Sequence, residues 1–365
     1  MIGIDTLVAS AETDAGSWDE TGLPVDVIGA AARAGVLGLD RTKDCRGLGL
    51  TAAELGSVAE RLGAVCTSLR SLLTVQGMVG AAVDRWGTAE QRAQWVPALA
   101  TGELLAGFAA TETGAGSDLS SVSTAFEAHG SDHRVSGRKL WVTFGEVADV
   151  LLVLGRSQAG LTTALVDTDA PGVSVEPVHG QLGMRGSRVA HIAFDDVLVP
   201  ADHLIAPPGF GLSHVVGTAL DHGRYTIAWG CAGMTRACLA DAVAHASTRV
   251  QGSTVLSEHD SVRAILGRSW VDAAGARALC ERAAEQRDAH EPSALFATIA
   301  AKYAASRVAA SASSHAVQVL GAAGCAPGSR VGRFFRDAKV MEIIEGATEV
   351  AELQIGDYVL GGGAR

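Results

Sequence analysis

The chain is poor in aromatic residues, has no block of basic charge and shows no paired cysteines. Aromatics make up 5% of its 365 residues, and the formal net charge is −11. Without a Lys/Arg cluster on that acidic background, nucleic acid is excluded as a natural partner. No stretch reaches the roughly 18 apolar residues of a membrane span, so no membrane association is expected. The first residues, Met1 to Asp14, carry acids and no basic-flanked apolar core. No secretory leader is read there, and a cytoplasmic protein is expected. None of the six cysteines (Cys45, Cys66, Cys231, Cys238, Cys280, Cys325) forms a C-x-x-C pair. That removes the usual zinc and redox motifs and leaves reduced thiols. H-E-x-x-H is also absent, and no metal site is expected.

What is present is an ordinary globular balance, 48% hydrophobic and 19% charged, with 44 glycines. The length suits two or three domains. Residues 1–105 read as helical, with the periodicity clear from Thr21. Pro24 opens one segment with Val27, Ile28 and Ala31 at helix spacing. Thr51 opens another, with Leu55, Val58, Ala59 and Leu62 on one face. Thr88 followed by Gln91 has the form of a capping box. Residues 106–208 change character, and short β-type runs appear at 140–143, 150–154 and 161–166. Ala190, Ile192 and Phe194 alternate with Val189, His191 and Ala193, as in a half-buried strand. Residues 209–365 return to helical spacing, with Val262, Leu266, Trp270 and Ala273 on one stripe and a long helix over 297–319. The expected fold is α+β: a helical N-terminal domain, a small central β-barrel or sheet domain and a C-terminal four-helix bundle.

Three stretches can carry chemistry. Thr111-Glu112-Thr113-Gly114-Ala115-Gly116-Ser117-Asp118 offers backbone N–H groups and hydroxyls to a phosphate or a flavin edge. It is neither a Rossmann fingerprint, lacking the third glycine and a βαβ frame, nor a P-loop. Taken alone it is as well read as a turn. Trp141-Val142-Thr143 on a strand fits either a core tryptophan or a platform for a planar cofactor. Glu345 follows Ile343 and Ile344 and precedes Gly346. A carboxylate in apolar surroundings has a raised pKa and suits a general base, while a surface Glu at a helix start is the plainer alternative.

The order of these pieces resembles the acyl-CoA dehydrogenase family. That family reads T-E-P-G-A-G-S-D, W-I-T, L-G-x-R-x-S, F-x-x-V-x-V-P, R-x-x-F-G, Q-x-x-G-G-x-G, R-D-A and E-G-T. Here the matches are Thr111–Asp118, Trp141–Thr143, Leu182–Ser187, Phe194–Pro200, Arg249, Gln318–Gly324, Arg336–Ala338 and Glu345-Gly346. The resemblance spans roughly Trp86 to Ile355. It implies FAD as cofactor and an acyl thioester as substrate. By position it assigns Phe108, Thr111, Gly116 and Ser117 to the flavin and its phosphates, and Trp141 and Thr143 to the ring system. Arg249, Gln318, Gly321 and Ala322 match positions that hold the FAD of a neighbouring subunit, which implies a homodimer or homotetramer. Thr348 and Glu349 match the FAD-touching segment after the base. Glu345 matches the base itself, and Arg224 an arginine close to it. Some members carry the base on a preceding helix, but the corresponding position here is Gly223.

The chain departs from the pattern at Thr113, at Gly252-Ser253, at Ala322 and at Ala347, which bears on the FAD contacts more than on the chemistry. Its overall cast is similar to dehydrogenases of polyketide clusters that make hydroxymalonyl or methoxymalonyl extender units on acyl carrier protein. An ordinary short-chain acyl-CoA dehydrogenase is the alternative within the family. A flavin monooxygenase or oxidase is disfavoured by the presence of Glu345, and a non-catalytic flavin-binding protein is the alternative of another class. The electron acceptor is not legible.

Overall fold

The computed structural model describes residues 2–363. Five helices come first: α1 (Ile2–Thr21), α2 (Val25–Arg33), α3 (Ala52–Gly63), α4 (Thr67–Trp86) and α5 (Ala89–Thr101). Their starts follow local chemistry. Pro24 precedes α2 as its N-cap residue, where a missing N–H costs nothing. Thr51 with Glu54 and Thr88 with Gln91 close reciprocal capping boxes at α3 and α5. Helix α1 begins well before the periodicity evident from Thr21. Its buried stripe is Ile4, Leu7, Ala11, Ala15 and Trp18. Two of these five are alanines, so the contrast between its faces is weak in the sequence.

Eight strands follow: β1 (Ala106–Ala109), β2 (Ala125–His129), β3 (Asp132–Val142), β4 (Val150–Ser157), β5 (Gly160–Asp167), β6 (Val173–Pro177), β7 (Ala190–Val199) and β8 (Leu204–Ile205). They form one sheet in the order β6-β7-β3-β2-β4-β5-β8, with β1 beside β4 in parallel. Among the described residues β6 and β8 end the path, so the sheet is open rather than a closed barrel. Strand β4 is buried on both faces. Val150 and Leu152 enter the core shared with α4 and α5, while Leu151 and Val153 enter the core between the strands.

The chain then enters α6 (Gly217–Thr248) through a π-helical turn, makes a small hairpin of β9 (Val250–Gln251) and β10 (Thr254–Val255), and continues as α7 (Asp260–Asp288), α8 (Ala294–Leu320), α9 (Arg330–Met341) and α10 (Thr348–Tyr358). Helix α6 is the axis of the helical region and touches α3, α4, α7, α8 and α9. Its contact with α3 is close because both sides are small. A Cβ on Gly63 would lie 2.3 Å from the Gly230 carbonyl oxygen, and one on Gly233 1.9 Å from that of Glu60. Helix α7 forms as the spacing predicts, but its buried face is Ser269, Ala276, Cys280 and Ala283. Trp270, on the expected stripe, is 64% exposed. The helices thus follow the N-terminal helix, β, C-terminal helix order of the expected class. Among the described residues no helix is long and apolar enough to cross a membrane, and no His/Cys/Asp/Glu group could hold a metal ion.

Candidate active site

Glu345 lies in the turn between α9 and α10 and has a left-handed backbone, φ +50°. For a residue with a Cβ this costs roughly 1–2 kcal/mol. Two cations from different helices hold the turn in place. Arg224 Nε, on α6, donates to the Glu345 carbonyl at 2.8 Å, and Lys302 Nζ, on α8, donates to the Gly346 carbonyl at 2.7 Å. The Thr348 N–H closes the turn on the Glu342 carbonyl at 3.0 Å.

The Glu345 side chain points inward, and its Oε2 is buried without a hydrogen-bond partner. It packs against the rival base position. A Cβ on Gly223 would lie 2.9 Å from Glu345 Cγ and 2.9 Å from Met78 Sδ. Burial pushes the Glu345 carboxyl above the ordinary glutamate value, and the positive charges of Lys302, Arg70 and Arg224 work against that shift. Burial likewise pulls the Lys302 amine down to about 8, although Glu345 opposes it. A buried carboxylate with a free oxygen and a raised pKa has the properties a general base needs.

Met78 belongs to an apolar cluster against which Phe108 on β1 also packs. The Leu140 N–H donates to the Thr111 carbonyl at 2.9 Å, which brings the end of β1 next to Trp141 and Thr143. Trp141 has φ +59° and is 54% exposed, with its ring edge-on to His191 at 5.1 Å. It is therefore no core tryptophan, and β3 ends one residue after it. The glycine-rich loop is open too. A Cβ on Gly114 or Gly116 would meet nothing within 4 Å, and Ser117 is exposed. Its frame comes from Glu112, which is buried. Glu112 pairs with the buried Lys139 at 2.7 Å and accepts from the N–H and hydroxyl groups of both Ser123 and Thr124. An open loop with free backbone donors beside an uncovered aromatic face fits a flavin with its phosphates.

Domain models of the acyl-CoA dehydrogenase family match residues 6–103 (N-terminal domain), 107–197 (middle domain) and 210–360 (C-terminal domain). The chain belongs to the acyl-CoA dehydrogenase family. It is 30% identical over 332 residues to the mitochondrial short-chain specific acyl-CoA dehydrogenase of Mus musculus, covering 89% of this chain and 80% of that one. A solved structure described as FkbI, for biosynthesis of the methoxymalonyl extender unit of the Fk520 polyketide, superposes with a TM-score of 0.92 at 36% identity. That match covers 98% of this chain and 99% of FkbI. A glutaryl-CoA dehydrogenase from Mycobacterium smegmatis in complex with FADH2 superposes with a TM-score of 0.92 at 26% identity, over 98% and 94% of the two chains. The protein is an FAD oxidoreductase.

Within one acyl-CoA dehydrogenase chain the remaining positions separate. Thr348 and Glu349 follow the Glu345 turn at the start of α10, with Thr348 half-buried and Glu349 exposed. Arg249, Gln318, Gly321 and Ala322 are all exposed and lie elsewhere. Arg249 follows Gly223 by 26 residues of α6 and its cap, about 39 Å along the axis. Gln318 and Gly321 stand at the matching end of α8. These four are not brought to Glu345 in the single chain.

The sequence reading missed three side chains. Met78 and Lys302 contact the Glu345 turn or its neighbour Gly223. Arg70, on α4, is 1% exposed. Its signal was there: every residue from Thr67 to Val83 is buried, and Arg70 is the only charged one among them. A lone arginine in such a run marks a buried cation rather than a solvated face.

Proposed function

We propose that the protein oxidises a short acyl thioester with Glu345 as its base. The observation that carries this is the Glu345 turn: clamped by Arg224 and Lys302, with Oε2 unpartnered and the alternative base position filled by Gly223. Bound FAD supplies the hydride acceptor. Phe108, Thr111, Gly116, Ser117, Trp141 and Thr143 would hold it, together with Thr348 and Glu349. Arg249, Gln318, Gly321 and Ala322, at the other end of the bundle, serve the FAD of a neighbouring copy in a homo-oligomer. Glu345 accepts the proton: from Cα of a simple acyl thioester, or from the O–H of an aldehyde hydrate at C3.

The acyl group is small. One helical turn from Gly223, the hydroxyls of Thr74 and Thr226 meet at 2.9 Å and join α4 to α6 directly. That contact leaves little room for an alkyl tail between the helices. The likeness to FkbI supports a hydroxylated three-carbon group on acyl carrier protein, on the way to a hydroxymalonyl or methoxymalonyl extender unit. The 30% identity to the short-chain enzyme favours a second reading, α,β-dehydrogenation of a short acyl-CoA.

Anaerobic flavin bleaching separates the two. The carrier-bound, aldehyde-level substrate should bleach the flavin, and butyryl-CoA should do so slowly. Bleaching by butyryl-CoA alone would establish the second reading. Glu345→Gln should retain FAD and lose at least ~10² in rate with either substrate. Unchanged turnover in that variant would remove Glu345 from the mechanism.

A further inference from the structure

Strand β3 does not run evenly into its last residue. Against β7, Lys139 pairs with Ile192 and Val142 with Ala190. Two residues, Leu140 and Trp141, therefore stand opposite one, His191. This is a β-bulge, a device that re-aims a side chain. Because β3 ends at Val142, the bulge does nothing for later pairing. Its consequence is the pose of Trp141, a bulky residue held at φ +59° with 54% of its surface exposed. Residues of that size avoid this backbone region, so neighbours must hold it there.

Two contacts hold the bulge, and each uses one of its N–H groups. The Leu140 N–H donates to the Thr111 carbonyl of the glycine-rich loop at 2.9 Å. The Trp141 N–H donates to His191 Nδ1 at 3.2 Å. A backbone N–H can only donate, so Nδ1 offers the lone pair and the ring proton sits on Nε2. The same imidazole stands nearly perpendicular to the indole, at 89° with the centroids 5.1 Å apart. A pair in that geometry is attractive and fixes the direction of the larger ring. One half-buried side chain thus engages both the main chain and the side chain of Trp141. Glu176 stands opposite His191 in register on β6, but its carboxylate pairs with Arg138.

We propose that His191 is a positioning residue for the flavin: it locks the Trp141 bulge so that the exposed indole meets the isoalloxazine ring in a fixed pose. The proposal rests on the reading of Trp141 as a flavin contact. FAD then binds a surface already shaped, with little ordering left to do. Losing the Nδ1 acceptor strips the Trp141 N–H of its partner and frees the indole. On the scale of one such hydrogen bond, FAD affinity falls roughly tenfold.

The test is the Kd for FAD of the full chain, read from flavin fluorescence. Visible circular dichroism of the bound flavin and Tm are recorded on the same samples. His191→Phe keeps a perpendicular ring and removes the acceptor. His191→Asn removes the ring and keeps an acceptor where Nδ1 stood. His191→Phe should bind FAD roughly tenfold more weakly and change the flavin dichroism, while His191→Asn stays within about threefold of wild type. In a Trp141→Leu background, His191→Phe should add almost nothing, because its effect passes through the indole. Wild-type affinity and dichroism in His191→Phe would overturn the proposal. A His191→Asn protein as weak as His191→Phe, or full additivity with Trp141→Leu, would do the same. If His191→Phe does not fold, His191→Ala replaces it, with the same expectation and the same refutation. Unchanged FAD affinity in Trp141→Leu would remove Trp141 from the flavin site and take the proposal with it. A weakened Trp141→Leu beside an unaffected His191→Phe sinks the proposal alone.

Discussion

Replacing Gly223 by alanine adds one methyl group and should disable the enzyme without unfolding it. The new Cβ would lie 2.9 Å from Glu345 Cγ and from Met78 Sδ, and ordinary van der Waals contact begins near 3.4 Å. Each neighbour must therefore retreat by roughly 0.5–1 Å. Met78 can do so by rotating a flexible thioether. Glu345 cannot move its backbone, because Arg224 and Lys302 hold the two successive carbonyls of Glu345 and Gly346. Its side chain must swing instead. Overpacking of this kind costs about 1–3 kcal/mol. Alanine returns about 1 kcal/mol relative to glycine inside a helix. The net loss of stability is then about 0–2 kcal/mol, a drop of a few degrees at most in Tm. The loss in rate is larger, since displacing a catalytic group by ~1 Å can cost ~10²-fold. The assay is single-turnover flavin bleaching under anaerobic conditions, with FAD content and Tm measured on the same sample. A Gly223→Ala enzyme that bleaches at the wild-type rate and melts higher would show that Gly223 is merely a weak helix residue and that Glu345 is not confined by it.

Lys302→Met removes both a donor to the Gly346 carbonyl and a positive charge near Glu345. A base works only when deprotonated, and losing a nearby cation disfavours its charged form. The acidic limb of the kcat/KM profile should move to higher pH, beyond a fall in rate of ~10-fold; a limb that stays put would make Lys302 purely structural. Glu112→Gln would leave Lys139 charged and unpaired in the interior, costing about 3–5 kcal/mol by denaturant unfolding, and a loss under 1 kcal/mol would contradict that. In the wild type, burial would raise the Glu112 carboxyl, but Lys139, Ser123 and Thr124 overcome it and hold it at about 2, below the ordinary 4.5. A depressed folded pKa gives stability that is present above 4.5 and lost as pH falls towards 2. Glu112→Gln should therefore flatten this part of the stability profile, and an equally steep acid limb would assign it to other carboxylates.

The parts of the fold with a local cause were legible. Thr88 announced its helix because a capping box is complete within four residues, and Thr51 through the apolar spacing that follows it. Alternation marked β7 because one face is buried and the other is not. Helix α1 showed no clear periodicity because Ala11 and Ala15 bury little and signal less. Trp270 misled because a large apolar residue was taken to face the core, whereas α7 turns its small residues inward. At the site, order along the chain carried the assignment of Glu345, since its own neighbourhood suited a surface helix start equally well. What order could not show is how distant motifs meet. Asp337 of the Arg336-Asp337-Ala338 stretch is buried and accepts the Met184 N–H at 2.6 Å, which ties that stretch to Leu182–Ser187 across 153 residues. Lys302 was equally hidden, because a cation on a helix usually lies in water, whereas Arg70 was overlooked although it is the only charge between Thr67 and Val83.

The placement of Glu345 on a strained turn, rather than on α6, follows from the charges around it. A carboxylate buried at position 223 would have the helix to hold it and no room to share with Glu345. On the turn the carboxylate gains something a helix does not offer. Its own carbonyl and the next one face outward from the positive-φ pair Glu345-Gly346, where Arg224 and Lys302 can grip them. The cations that fix the backbone are then also those that temper the effect of burial on the carboxyl group. Lys302 and Arg224 thus bear on positioning and on pKa, so a change at either one should disturb both together, while Arg70 bears on the pKa alone. Arg70 stands apart, since it grips no part of the turn.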